Sequence, residues 1–179
     1  MARPSHAGYC AGSEHEGPSV KATPLVSVVM PFFNGASFLH ESIASVASQS
    51  YDRWELLLVD DGSTDGSANV ARSWVADRPA RMRYLQHADA ANRGISASRN
   101  LGIRHASGEL VAFLDADDVW LKDKLARHVE LLAARPEAGM MYGRTEYCTA
   151  GPGNLRTKAA TTSHGWARRR IRFSRLPRS

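Results

Sequence analysis

The sequence predicts an α/β protein of one domain, built on an open, mostly parallel sheet with helices on both faces. Three observations predict it. From residue 25 onward, short apolar runs alternate with helical patterns. The runs at 26–30 (VSVVM), 55–59 (ELLLV) and 110–114 (LVAFL) are apolar but for Ser27 and Glu55 and do not alternate, as strands buried on both faces do not. Polar clusters then stand directly after three of these strands, on the edge where open α/β sheets bind ligands.

The elements follow in order. The first strand, 26–30, is expected to end at Pro31. Ser37 is placed as the cap of a helix whose inner face carries Leu39, Ile43, Val46 and Ala47. The second strand runs straight into Asp60 and Asp61, and a polar turn leads to a helix with Val70, Trp74 and Val75 inward. A weaker strand is expected at 82–86. The helix near 94–106 should bury Ile95, Ser98, Leu101 and His105, with Gly108 past its end. The fourth strand stops at Asp115-Ala116-Asp117-Asp118. A last helix presents Leu121, Leu125, His128, Val129 and Leu132 and closes before Pro136; a short fifth strand is expected at 140–142.

A chain of 179 residues suits one domain with a real core. Residues 1–24 lack periodicity and read as a disordered leader, 25–146 as the domain, and 147–179 as a basic, irregular tail. The charge is divided accordingly. Residues 1–146 hold 15 basic and 18 acidic residues, a net charge of −3, whereas 147–179 hold eight basic residues and no acid. The pI of about 9.6 therefore belongs to the tail. A truncated or frame-shifted region is the first reading of that tail, and a basic arm docking on anionic lipid the second. With no apolar run of about 18 residues and no secretory signal, the expected place is the cytoplasm, with peripheral contact at the inner membrane face as the tail's alternative. Cys10 and Cys148 are expected as free thiols. His40, His87, His105 and His128 are scattered and read as structural.

The chemistry lies in the strand-end clusters. Pro31-Phe32-Phe33-Asn34-Gly35, Asp60-Asp61-Gly62-Ser63 and Asp115-Ala116-Asp117-Asp118 would bring five carboxylates to one rim, where they repel unless a cation sits among them. A hard divalent ion, Mg2+ or Mn2+, accepts a few carboxylates and completes its shell with phosphate oxygens. Asp115 and Asp117, two apart on an extended segment, can face the same way. The stretch from Asn92 to Asn100 adds a glycine, a helix N-terminus and two arginines, all suited to phosphate.

In their order and spacing, the stretches VSVVMPFFNG, Ser48-Gln49-Ser50, WELLLVDDGSTDGS, NRGISASRNLGIRHASGE and LVAFLDADDVWLKDKL resemble the family 2 glycosyltransferases, over about 118 residues from 25 to 142. The resemblance implies the GT-A (Rossmann-like) fold. It implies that Pro31 and Phe33 floor the nucleotide pocket, that Asp61 beside Asp60 accepts a hydrogen bond from the base, and that Gly94 and Arg99 lie near base and diphosphate. It implies Asp115 near the ribose with Ala116 beside it, and Asp117 with Asp115 as the metal site. The implied reaction is inverting transfer from a nucleotide-diphospho-sugar, most often a UDP-sugar, to a glycan or lipid-linked acceptor hydroxyl in polysaccharide synthesis. The family's general base, an Asp or Glu well downstream, has no counterpart: Asp123, Glu130, Glu137 and Glu146 lie too near the metal motif, and no acid follows.

Two other readings compete. One is a catalytically impaired fragment that only binds donor. The other is a nucleotidyltransferase, which would need a basic glycine-rich loop where Phe32-Phe33-Asn34-Gly35 stands. A receiver-type phosphoacceptor domain would need a lysine on the last strand, and 140–142 has none. No nucleic-acid partner is expected. Self-association is, if the far edge of the sheet lacks a cover.

Overall fold

The computed structural model describes residues 23–141 in full and the backbone of 149–151, 154–156 and 173–175. Residues 1–22 of the leader, the end of the expected domain with Tyr142 and Glu146, most of the basic tail, and both cysteines lie outside the described residues. The chain runs β1 (Val26–Phe32), α1 (Ala36–Ala47), β2 (Trp54–Asp60), α2 (Ser67–Asp77), β3 (Met82–Gln86), α3 (Ile95–His105), β4 (Leu110–Phe113), α4 (Lys124–Ala134) and β5 (Met140–Met141). Three short strands follow within the stretch expected to be irregular: β6 (Thr149–Gly151), β7 (Asn154–Arg156) and β8 (Phe173–Arg175).

One sheet has the order β3-β2-β1-β4-β8-β5; β6 and β7 pair separately. The first four strands are parallel, as the apolar runs predict, while β8 lies antiparallel between β4 and β5. The chain steps outward from β1 through β2 to β3, then returns to place β4 on the other side of β1. Right-handed crossovers force the helices before and after such a reversal onto opposite faces. The packing agrees. Val26, Val28, Met30 and Phe32 of β1 join Leu39, Ile43 and Val46 of α1, Ala71 of α2 and Leu125 and Leu132 of α4. Val29, Leu57, Val59 and Val111 face the other way, against Leu101 and Ile103 of α3. Each leucine or isoleucine fully buried in this way contributes about 1.5–3 kcal/mol. The crevice opens where the order reverses, between β1 and β4.

Four local expectations need correction. Pro31 does not end β1, which continues through Phe32 paired with Asp60. Backbone groups of odd-numbered β1 residues face β4, as the bonds from Leu110 and Leu114 to the Leu25 and Val29 carbonyls show. The β4 pairing stops at Val29, so the N–H that Pro31 lacks has no ladder partner to lose. Ser37 is not the cap of α1; Gly35 is, and its side-chain-free end is capped by another loop. In α3 the buried residues are Ser98 and Gly102, while Ile95 and His105 are exposed. A Cβ on Gly102 would stand 2.3 Å from Val29 Cγ1, so this glycine, not the flanking apolar residues, sets the helix face against the sheet. Leu121 precedes α4 and is exposed, whereas Leu125, His128 and Leu132 are buried as expected.

Candidate functional site

The rim begins where β1 ends. Pro31 is buried, Phe33 is half exposed, and Asn34 adopts a left-handed backbone (φ 48°), which asparagine tolerates better than most residues. Asn34 is fastened to the loop after β2: its N–H donates to Ser63 Oγ (3.1 Å) and its Oδ1 accepts from the Thr64 N–H (2.8 Å). The first amides of α1 are satisfied by the same loop. Gly35 N–H donates to Ser67 Oγ (2.9 Å) and Ala36 N–H to Asp65 Oδ2 (3.1 Å). The Ser67 hydroxyl and then the Ala36 amide hold the Asp65 carboxyl below its ordinary range.

Asp60 and Asp61 end β2, and both are buried. Asp60 Oδ1 accepts from the Ser63 N–H (2.8 Å) and Oδ2 from the Tyr84 hydroxyl (2.6 Å). Burial, and then the bond to Asp60, push the Tyr84 hydroxyl up to about 12. Asp61 is a clamp on the next loop. Its Oδ1 accepts from the Arg93 N–H (2.8 Å) and Ser98 Oγ (3.0 Å), and its Oδ2 from the Gly94 N–H (2.9 Å). His87 Nε2 stands 3.0 Å from Ser98 Oγ and 3.6 Å from Asp61 Oδ1, closing a buried cluster. Gly62 (φ 84°) lies against the same loop, where a Cβ would come within 2.8 Å of the Ala90 carbonyl oxygen. Gly94 also has φ 84°, but no atom lies within 4 Å of where its Cβ would be.

The loop after β4 is organised differently. Asp115 Oδ1 pairs with Arg99 Nη2 at 2.6 Å, bringing together two of the predicted residues from α3 and β4. Arg99 Nε is buried without a partner among the described residues. Ala116 faces α1, 3.9 Å from the Cβ position of Gly35, and its carbonyl accepts from Ser42 Oγ (2.6 Å). Asp117 is exposed and has no hydrogen bond or ion pair among the described residues.

The expected convergence of five carboxylates on a cation is therefore corrected. Asp60 is bonded by the Ser63 amide and the Tyr84 hydroxyl, Asp61 by the Arg93 and Gly94 amides and the Ser98 hydroxyl, and Asp115 is paired with Arg99. Among the described residues, no three His, Cys, Asp or Glu side chains group so as to hold a metal ion. Of the scattered histidines, His40 packs at a tilt against Trp74 and accepts from its Nε1–H (3.2 Å), His105 Nδ1 meets the Leu101 carbonyl, and burial pushes His128 down to about 4. His87 belongs to the rim instead. Sequence reasoning also missed Tyr84 and the α1 residues Ser42 and Ser45, and gave no role to Asp65, Ser67 and Gln49 although they lay in stretches already singled out. Ser98 lay inside a motif already singled out, but it read only as the buried side of a helix.

With this geometry in place, residues 27–178 match the family described as Glycosyl transferase family 2. The chain belongs to glycosyl transferase family 2. A family relative from Escherichia coli, UDP-Glc:alpha-D-GlcNAc-diphosphoundecaprenol beta-1,3-glucosyltransferase WfgD, is 35% identical over 122 residues, covering 68% of this chain and 46% of its own. Among solved structures, the mannosyltransferase PcManGT from Pyrobaculum calidifontis, in complex with GDP-Man and Mn2+, superposes with a TM-score of 0.61 at 32% identity. The match covers 67% of this chain and 35% of that one. S. aureus TarS 1–349, in complex with UDP, gives 0.58 at 25% identity, covering 65% and 34%. These GT-A neighbours share the four-stranded parallel sheet and its helices. The chain spans about half the length of the curated relatives it matches. Among the described residues, no helix is long and apolar enough to cross a membrane.

Proposed function

We propose that residues 25–146 form the donor-binding domain of an inverting family 2 glycosyltransferase, taking a nucleotide-diphospho-sugar, a UDP-sugar first, and a glycan or lipid-linked acceptor. The carrying observation is the rim itself: a clamped Asp61–Gly94 loop on one side of the β1/β4 crevice, and the Arg99–Asp115 pair with unbonded Asp117 on the other. The ligands of the family neighbours, GDP-Man with Mn2+ in one and UDP in another, support it.

In this reading Pro31 and Phe33 floor the base pocket, and Asp60 and Asp61 hold its wall. Gly94 leaves its backbone open to the diphosphate, Arg99 offers it positive charge, and Asp115 and Ala116 flank the ribose. Asp117, with Asp115, would hold Mn2+ or Mg2+. The donor set fits such an ion, because one or two carboxylates suffice when phosphate oxygens and water complete the shell. When bound, that ion supplies positive charge to the departing diphosphate. The acceptor oxygen forms its bond to the anomeric carbon as the bond to phosphate breaks, the electron pair leaving with the diphosphate and the acceptor proton passing to a base.

A second reading, donor binding without turnover, is favoured by one observation. The described acids after Asp118 all lie on or beside α4, with Asp123 paired to Arg127. Release of free nucleoside diphosphate from a panel of UDP- and GDP-sugars with Mn2+ tests the proposal. Transfer predicts release that Asp117→Ala abolishes, with the inverted anomer seen by NMR. Binding without release leaves the second reading, and release indifferent to Asp117→Ala contradicts the metal assignment.

A further inference from the structure

Three buried polar side chains, Ser42 and Ser45 on α1 and Gln49 two residues past its end, point into the loop that carries Asp115 and Asp117. Ser42 and Ser45, three residues apart, share one side of the helix, and Gln49 continues that side just beyond the helix end, its Nε2 on the Ser45 carbonyl at 3.1 Å. Ser42 Oγ donates to the Ala116 carbonyl at 2.6 Å. Ser45 Oγ accepts from the Trp120 N–H at 3.1 Å. Gln49 spans the end of the loop: its Nε2 donates to the Leu121 carbonyl (2.7 Å) and its Oε1 accepts from the Leu125 N–H (2.9 Å). The next residue continues the seam, with the Ser50 N–H on the Lys122 carbonyl at 2.8 Å. Ser42, Ser45 and Gln49 are all buried, so the side-chain partner of each of these bonds is shielded from water.

This helix is held at its other end by the loop after β2, through Gly35 on Ser67 and Ala36 on Asp65. Helix α1 is thus the common mount of both carboxylate loops. Packing of an apolar helix face requires none of these hydroxyls or amides, and alanine and leucine would fill the same positions. What these side chains add is a fixed height and orientation for the backbone between Asp115 and α4.

We propose that Ser42, Ser45 and Gln49 are positioning residues that hold the Asp115–Asp117 segment in the geometry a cation–diphosphate pair requires. Ser42 acts most directly, because the Ala116 carbonyl it holds lies between the two aspartates. The proposal rests on the metal assignment made above only for its effect on binding; the positioning itself has a readout without ligand.

The test uses the full chain with Ser42→Ala, and with Ser48→Ala as a control on the same helix, since Ser48 Oγ bonds only the Ser45 carbonyl of its own helix. Amide hydrogen exchange without ligand and calorimetric titration with UDP, with and without Mn2+, are measured on each. Ser42→Ala should speed exchange at 116–121 while β1 and β2 stay protected. It should weaken Mn2+-dependent UDP binding about 10-fold, the scale on which residues that orient metal ligands act. Binding of UDP alone should remain unchanged. Ser48→Ala should match the wild type throughout. Exchange that does not change at 116–121, that rises equally in β1 and β2, or that Ser48→Ala reproduces, overturns the proposal. A wild type indifferent to Mn2+, combined with the local exchange change, defeats the metal assignment and leaves the positioning role standing.

Discussion

The loop after β2 and the loop after β4 both end buried parallel strands in aspartates, yet the protein treats them in opposite ways. Asp60 and Asp61 are buried, and together they accept five hydrogen bonds from within the chain. The Asp115 carboxylate has Arg99 as its one partner among the described residues, and Asp117 is exposed with none. Buried carboxylates must be bonded or they destabilise the fold. An exposed carboxylate costs the fold nothing and keeps its charge for a ligand. The first loop is therefore part of the folded architecture, and the second is a place where charge is left available.

That contrast breaks most visibly at the paired substitutions Asp61→Ala and Asp117→Ala. Removing Asp61 leaves the Arg93 and Gly94 amides and the Ser98 hydroxyl without their acceptor, at roughly 1–3 kcal/mol for each group that stays buried. Asp61→Ala should lower stability by about 3 kcal/mol or more in a urea titration, whereas Asp117→Ala should change it by less than about 0.5 kcal/mol. Equal effects would dissolve the distinction between the loops.

Two glycines sharpen it on a smaller scale. Gly62 and Gly94 have the same φ, but only Gly62 packs on backbone. Gly62→Ala should cost about 1 kcal/mol for the left-handed backbone and about 1–3 more for the displaced loop. Gly94→Ala displaces no loop, so its cost, by the same urea measurement, should be the backbone part alone, about 1–3 kcal/mol for a conformation (φ 84°, ψ 159°) that only glycine adopts readily. The smallest effect concerns Tyr84. Its proton is held up to about 12 in the folded chain against an ordinary 10, so its contribution is complete below pH 10 and is lost as pH rises through 12. Thermal melts of the wild type should decline more between pH 10 and 12 than those of Tyr84→Phe.

Much of the fold was legible because strands buried on both faces leave continuous apolar runs, and all four parallel strands sit where such runs or their weaker analogue at 82–86 occur. What periodicity misjudged was set by contacts between distant residues. The face of α3 turns on the approach of Gly102 to Val29, and a missing side chain leaves no hydrophobic signal. Pro31 looks like a strand end until the neighbour on that side is seen to have stopped first. The site motifs were legible as strand-end clusters, but not their division of labour. Whether an aspartate is bonded depends on amides 32 and 33 residues away, as for Asp61. Ser42 and Ser45 were hidden for the opposite reason: polar residues in an amphipathic helix read as solvent-facing. His87 carried no motif, and only the fold brings it to Asp61.

The most direct test of the contrast is calorimetric titration of the full chain with UDP, with and without Mn2+, on wild type and Asp117→Ala. The account predicts that Mn2+ strengthens UDP binding to the wild type, and that Asp117→Ala removes this gain while the chain melts at the same temperature. Mn2+-dependent binding that survives Asp117→Ala, or a substitution that unfolds the chain, would contradict it.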